Sequence, residues 1–276
     1  MVNFNGTLQD TTMLLSTTNR SFLYGDGVFE TVKVVDGKVL FVEDHYFRLM
    51  SSLRIVRMKI PMIFTLEYFE AQLLSLVQAL KIEDSARVRF TVFRNEGGYY
   101  TPTDSTVSFV IQASALPNKE YTCVSTKYEV DLYKDFLVTK HLLSTLKTNS
   151  KMIQITASIF AQENQLDSCL LINDTKNVVE ATNGNLFMLM GNSLITPPVS
   201  EGCLNGIMRK QIMNLAKKIE GIEMVELPIS PFDLQKADGL FVTNVIQGVL
   251  PISKYRKKEY ESTICNQLVS LLNASI

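Results

Sequence analysis

The sequence predicts an α+β fold in two domains, a small one of mixed strands and helices and a larger one that is mainly β. Three observations carry this. Period-two alternation and helical spacing take turns along the chain, the order of elements changes after the segment "LPNKEYT", and no internal repeat or low-complexity tract interrupts either half. With 276 residues, 46% of them hydrophobic and 20% charged, the chain can give each domain its own core.

The small domain is expected over residues 1–115. "VFETVKVVDGKVLFVEDH" reads as a hairpin whose two β-rich runs meet at Asp36-Gly37, a dipeptide suited to a tight primed turn. "EDHYFRLMSSLRIVRMK" then switches to helical spacing, with Phe47, Leu49 or Met50, and Leu53 on one face. A second helix is expected in "LEYFEAQLLSLVQAL". Two strands follow, "ARVRFTVFR" and "TVSFVIQAS". In the first, Val88, Phe90 and Val92 share one face, and Arg87, Arg89 and Thr91 the other.

Residues 116–121 read as a linker and 122–276 as the larger domain. "TNSKMIQITASIFAQEN" is helical, with Met152, Ile155, Ile159 and Phe160 as its apolar stripe. "CLLIND" reads as a buried strand, and "VVEATNGNLFMLMGNSLIT" as two more around Thr182-Asn183-Gly184. "GIMRKQIMNLAKKIEG" is a helix entered through Gly206 and closed by Gly221. "GLFVTNVIQGVLPI" is β-rich up to Thr243-Asn244.

Composition narrows the function. The net charge of −1, without a basic block, argues against nucleic-acid binding. Cys123, Cys169, Cys203 and Cys265 are scattered, with no metal-ligand or redox spacing, and read as reduced thiols of a cytoplasmic protein. "MVNFNGTLQDTT" lacks a basic region followed by an apolar run, so no signal peptide is expected. No run approaches the roughly 18 uninterrupted apolar residues of a membrane span.

Chemistry enters with Lys147-Thr148-Asn149 and, thirty-three positions later, Glu180 in "VVEATNGNLF". A reactive amine and a carboxylate, each on its own framework, could hold the two ends of one electron-withdrawing ring. Taken singly, Lys147 reads equally as a solvated lysine at a helix start, and Glu180 as an exposed strand-end glutamate.

Six segments remove that ambiguity together. "LYGDGVFETVKV", "EDHYFRLM", "LKTNSKM…ASIFAQE", "VVEATNGNLF", "PPVSEGCLNGIMR" and "FVTNVIQGVLPI" stand in the order found in class IV aminotransferases, and from about Tyr24 to Ile252 the chain resembles that family. These are the fold-type IV enzymes, and they include branched-chain and D-amino acid transaminases and 4-amino-4-deoxychorismate lyase. The resemblance implies a small α/β sandwich domain beside a larger pseudo-barrel, pyridoxal 5'-phosphate as cofactor, and a homodimer acting on an amino acid and a 2-oxo acid.

It also implies site residues. Lys147 matches the Schiff-base lysine that later moves a proton on the substrate carbon. Glu180 matches the carboxylate facing the pyridine nitrogen. Arg48, in an H-x-x-R-L pattern after His45, matches a phosphate clamp. Gly206, Ile207 and Met208 match a helix N-terminus cradling the phosphate. Asn244 and Val245 match a second phosphate contact, and Leu204 packs on the ring. Tyr24 and Phe29 match pocket-lining positions, and Arg89 and Arg94 strand positions that meet a substrate carboxylate. Opposite strand parity would separate the two arginines unless a bulge intervened. His45 and His141 are assigned structural roles.

Branched-chain transaminases often have tyrosine where Met152 stands and threonine where Met208 stands. The leading expectation is an amino-acid transaminase. Aminodeoxychorismate lyase, releasing pyruvate and 4-aminobenzoate, is the enzyme alternative. A non-catalytic ligand-binding relative is the third.

Overall fold

The structure, a computed structural model, describes residues 1–10, 15–123, 127–261 and 263–276. They form two compact units, Met1–Lys119 with Lys147–Ser150, and Glu120–Leu146 with Lys151–Ile276. This differs from a contiguous division at one place: the chain returns to the first unit at Lys147–Ser150.

The first unit begins with β1 (Val2–Phe4), β2 (Thr7–Gln9) and α1 (Arg20–Tyr24). Next come β3 (Gly27–Val35), β4 (Lys38–Val39), α2 (Val42–Ile55) and α3 (Leu66–Ala79), and then β5 (Ser85–Arg94) and β6 (Val107–Ala115). Among the described residues its strands make a six-stranded sheet in the order β2-β1-β6-β5-β3-β4. The β3–β4 hairpin turns on Asp36 and Gly37, both at positive φ (+48° and +73°), as a primed turn requires. One sheet face carries Val28, Val32, Val88, Phe90, Val92 and Phe109, which pack with Leu49 and Leu53 of α2 and Leu73 and Leu76 of α3.

On α2 the buried positions are His45, Leu49, Met50, Ser52 and Leu53, whereas Phe47, expected on that face, is 63% exposed. The recurrence 45, 49, 52/53 is the helical one; Phe47 sits about 200° round the axis from Leu49.

The second unit opens with β7 (Glu129–Val138), α4 (Met152–Glu163), β8 (Ser168–Asn173), β9 (Val178–Ala181), β10 (Gly184–Met190) and β11 (Ser193–Thr196). It continues with α5 (Ile207–Ala216), β12 (Glu223–Glu226), α6 (Pro231–Leu234), β13 (Gly239–Asn244) and β14 (Gly248–Ile252). It closes with β15 (Lys254–Tyr255), β16 (Lys258–Glu259) and α7 (Thr263–Asn273). β8, buried throughout as expected, runs between parallel β7 and antiparallel β9, and β10 pairs with β9, β11 and β13. Among the described residues no helix is long and apolar enough to cross a membrane.

Three expectations change here. The segment after Val178 makes three strands rather than two, because Gly191, at φ +57°, starts a second reversal before β11. α5 ends at Ala216, short of Gly221: Lys218 and Ile219 donate to Leu215 and Ala216, three residues back, and this tighter turn stops the α-helix. The expected stripe of α4 is exposed at Met152, Ile155 and Ile159, and the helix instead packs through Ala157, Ala161, Ile153 and Phe160. Two alanines let it lie close against β7 and β8, with Met152, Ile155 and Ile159 on the outer side.

The corrected α2 face is directly testable by urea unfolding. Leu49→Ala should cost about 2–5 kcal/mol, and Phe47→Ser should stay within about 0.5 kcal/mol of wild type.

Candidate active site

In the first unit Lys147 is positioned by its backbone. Phe29 N–H donates to Lys147 O at 2.8 Å, and Asn149 N–H donates to Gly27 O at 2.9 Å, so Lys147–Asn149 adds antiparallel to the start of β3. Gly27 leaves room for the Asn149 side chain: a Cβ there would sit 2.6 Å from Asn149 Nδ2. The half-buried Lys147 places Nζ 4.7 Å from the centre of the Phe29 ring, and Arg89 Cζ stands 3.5 Å from the same centre. Asn149, which had no assigned role, accepts from Arg89 Nη2 at 3.2 Å and donates to Ser21 Oγ at 2.7 Å. Burial, with Arg87 nearby, brings the Arg89 pKa down to about 10.

Arg48 is anchored on Glu30, Nε to Oε1 at 2.7 Å and Nη2 to Oε2 at 2.5 Å, a bidentate pair. His45 Nδ1 also donates to Glu30 Oε2, at 2.7 Å. Burial alone would raise the Glu30 pKa, but Arg48 and His45 outweigh it and hold it at about 2. Burial lowers the His45 pKa, and its Nε2 is buried without a partner, so the neutral ring is the form that fits. His45 is thus structural. So is His141, whose ring Nδ1 accepts from Ser144 N–H at the start of a short 3₁₀ turn.

The register of β5 runs unbroken against β3 and β6, with no bulge, so Arg89 and Arg94 point to opposite faces. Arg94 is 6% exposed. It donates to Asp26 Oδ2 at 2.9 Å and to the carbonyls of Arg57 and Val56. Arg20 meets the same Asp26 oxygen and donates to the carbonyls of Gly97, Gly98 and Tyr99. Tyr24, 39% exposed, lies 5.8 Å from Tyr100, ring to ring.

In the second unit Glu180, on β9 and 6% exposed, accepts from Leu204 N–H at 2.8 Å. Asn185, directly across from it on β10, donates to Leu204 O at 2.8 Å, so the loop ahead of α5 is held from both strands. The Cys203 thiol is pushed up to about 12, first by burial and then by the charge of Glu180. Gly206 caps α5 without a side chain, and a Cβ there would fall 1.9 Å from Asn185 Oδ1. The first intrahelical bond at this end is Lys210 N–H to Gly206 O, which puts the amides of Ile207 and Met208 at the open, positive end of the helix.

Between β13 and β14, Asn244 shapes the turn itself. Its Oδ1 accepts from Ile246 and Gln247 N–H, and its Nδ2 donates to Asn183 O and Gln247 Oε1. Val245 follows, half-buried, and Thr243 Oγ1 just before is buried without a partner. Asn149, Asn185 and Glu30 are positions that sequence reasoning missed. For Asn185 the one signal was its place two residues beyond Asn183 in "TNGN".

A family model described as amino-transferase class IV matches residues 27–255. A protein of Methanocaldococcus jannaschii, provisionally described as a branched-chain-amino-acid aminotransferase, is 30% identical over 238 residues, 86% of this chain and 81% of that protein. The aminodeoxychorismate lyase of Vibrio harveyi is 24% identical over 237 residues, 85% of each chain. The branched-chain aminotransferase of Thermoproteus uzoniensis, crystallised with norvaline, matches with a TM-score of 0.86 at 20% identity, over 99% of this chain and 93% of that one. That last likeness is one of fold.

The Glu30 cluster sets an acid limit on stability. A carboxyl held at about 2, against an ordinary 4.5, contributes fully above pH 4.5 and loses its contribution as pH falls toward 2. The lowered His45 pKa adds in the same direction once pH drops below 6.5, where the unfolded chain takes up a proton and the folded one resists it. Urea midpoints should therefore fall from pH 7 to pH 3. Glu30→Gln should be less stable at pH 7 and show a shallower decline below pH 4.5.

Proposed function

The chain belongs to the amino-transferase class IV family, whose members depend on pyridoxal 5'-phosphate, and from that premise we propose that it moves an amino group between an amino acid and a 2-oxo acid through a Schiff base at Lys147. The observation that carries this reading is the setting of Lys147: a half-buried lysine whose segment is fixed by two backbone bonds to β3, with its amine laid against the Phe29 ring that the Arg89 guanidinium also covers.

The residues fit the cofactor on features of their own. The uncapped start of α5, its glycine wedged against Asn185, suits a phosphate, and the orphaned Thr243 hydroxyl beside the Asn244 turn is a donor of the right kind. When bound, pyridoxal phosphate supplies an electron sink for a carbanion at the substrate α-carbon. Lys147 Nζ would hold the cofactor aldehyde, and the same amine would serve as the base that moves the proton of the substrate α-carbon. Glu180 would partner the pyridine nitrogen and favour its protonated form, and Leu204, fixed by Glu180 and Asn185, would pack on the ring. Arg48 from the first unit and Gly206, Ile207 and Met208 from the second would receive the phosphate. Because the Asn244 side chain is committed to its own turn, Val245 contributes there through its amide. Tyr24, Phe29 and Arg89 line the substrate side, with the Arg89 guanidinium oriented by Asn149 toward a carboxylate. Arg94 is left to the Asp26 strut. We extend the reading to a cytoplasmic homodimer, which sedimentation of the purified protein tests.

The similarity to a lyase keeps a second reading in view: the same proton abstraction expels pyruvate from aminodeoxychorismate. Pyruvate release without any 2-oxo acid acceptor would select it over amino transfer.

The purified holoenzyme should be yellow, and borohydride should bleach it and fix the cofactor to Lys147 in peptide mapping. Lys147→Ala should lower amino transfer about 10²- to 10⁴-fold. A colourless protein that stays so with added pyridoxal phosphate, or label on a different lysine, would refute the assignment.

A further inference from the structure

The segment expected to be a mere linker ends in a residue with a defined task. Tyr121 is 2% exposed; its N–H donates to Asn273 Oδ1 at 3.0 Å, and Asn273 Nδ2 donates back to Tyr121 O at 2.8 Å. Asn273 is the last residue of α7, so the tyrosine is clamped to the C-terminal helix. From there its hydroxyl donates to Val245 O at 2.7 Å. The ring lies against Gly248, at φ +74°, where an added Cβ would meet Tyr121 Cδ1 at 2.6 Å. Burial raises the phenol pKa, so the hydroxyl stays a donor across the neutral range.

The geometry has a specific result. Val245 C=O and Ile246 N–H belong to one planar peptide group. Tyr121 Oη binds its carbonyl end, and Asn244 Oδ1 accepts from its N–H end at 3.0 Å. A plane held at both ends, with Asn244 itself gripping one of them, restricts the rotations on either side of the Val245 Cα and so limits the directions open to that residue's own amide. α7 also packs on α5 and β14, so one helix stands behind both amide groups assigned to the phosphate.

We propose that Tyr121 and Asn273 are positioning residues that aim the Val245 turn at the cofactor phosphate, an inference resting on the cofactor reading above. They touch no reacting atom and act through the peptide they hold.

The test is titration of the full-length apoprotein with pyridoxal phosphate, followed by absorbance, with the ³¹P resonance of the bound cofactor as a local reporter. Tyr121→Phe keeps the ring over Gly248 and deletes one neutral hydrogen bond, so Kd should rise about three- to tenfold and the ³¹P resonance should move. Asn273→Ala, loosening the clamp from the helix side, should raise Kd in the same direction. The control is Tyr260→Phe, which removes another tyrosine hydroxyl bound to a carbonyl in the same unit, Leu234 O at 2.6 Å. It should lower the thermal midpoint and leave Kd and the resonance at wild-type values. The proposal is overturned if Tyr121→Phe binds with wild-type Kd and resonance, or if Tyr260→Phe raises Kd equally. A wild-type protein that takes up no pyridoxal phosphate overturns the cofactor reading, and this inference with it.

Discussion

The short antiparallel pairing of Lys147–Asn149 with Gly27–Phe29 is the constraint on which the first unit's chemistry depends. A lysine side chain has four rotatable bonds, and its amine is useful only if the stem starts from a fixed place. Two backbone bonds supply that fixed place. β3 begins with a glycine, whose missing Cβ leaves room for the Asn149 side-chain amide. The same amide then reaches Ser21 and Arg89. One run of three residues therefore sets an amine, an aromatic ring and a guanidinium in register with a single strand end.

The second unit solves a different problem, that of keeping charge and donors in place without side-chain freedom. Glu180 is tied by the Leu204 amide, Leu204 by Asn185, and Asn185 by the glycine that opens α5. Each of these atoms is held by backbone geometry on one side and a strand neighbour on the other. Rigid placement of this kind lets dipoles act without reorganising.

Much of this was legible in the sequence. Alternation marked β5 and its core face, and Asp36-Gly37 gave the hairpin turn, because each signal is local to a few residues. Lys147, Glu180 and the α5 entry could be proposed as one set because six motifs keep their order. What stayed hidden depends on distant partners. The buried face of α4 could not be read from hydrophobicity alone, since Ala157 and Ala161, with Ile153 and Phe160, meet the core while Met152, Ile155 and Ile159 face outward. Asn149 and Glu30 look like ordinary polar residues until Arg89 and Arg48 arrive from other strands and helices. Tyr121 lay in a stretch that composition marks as a connector, and only its bonds to Asn273 and Val245 distinguish it.

The environment of Cys203 has a consequence for chemical durability. A thiol attacks oxidants and electrophiles as its anion, and with its pKa near 12 almost none of Cys203 is ionised at neutral pH. Cys169, raised to about 11 by burial and then by Asp131, is similarly quiet. Burial first, and then the negative charge of Glu180, thus keep the Cys203 sulfur from reacting with electrophiles and shield it from peroxide.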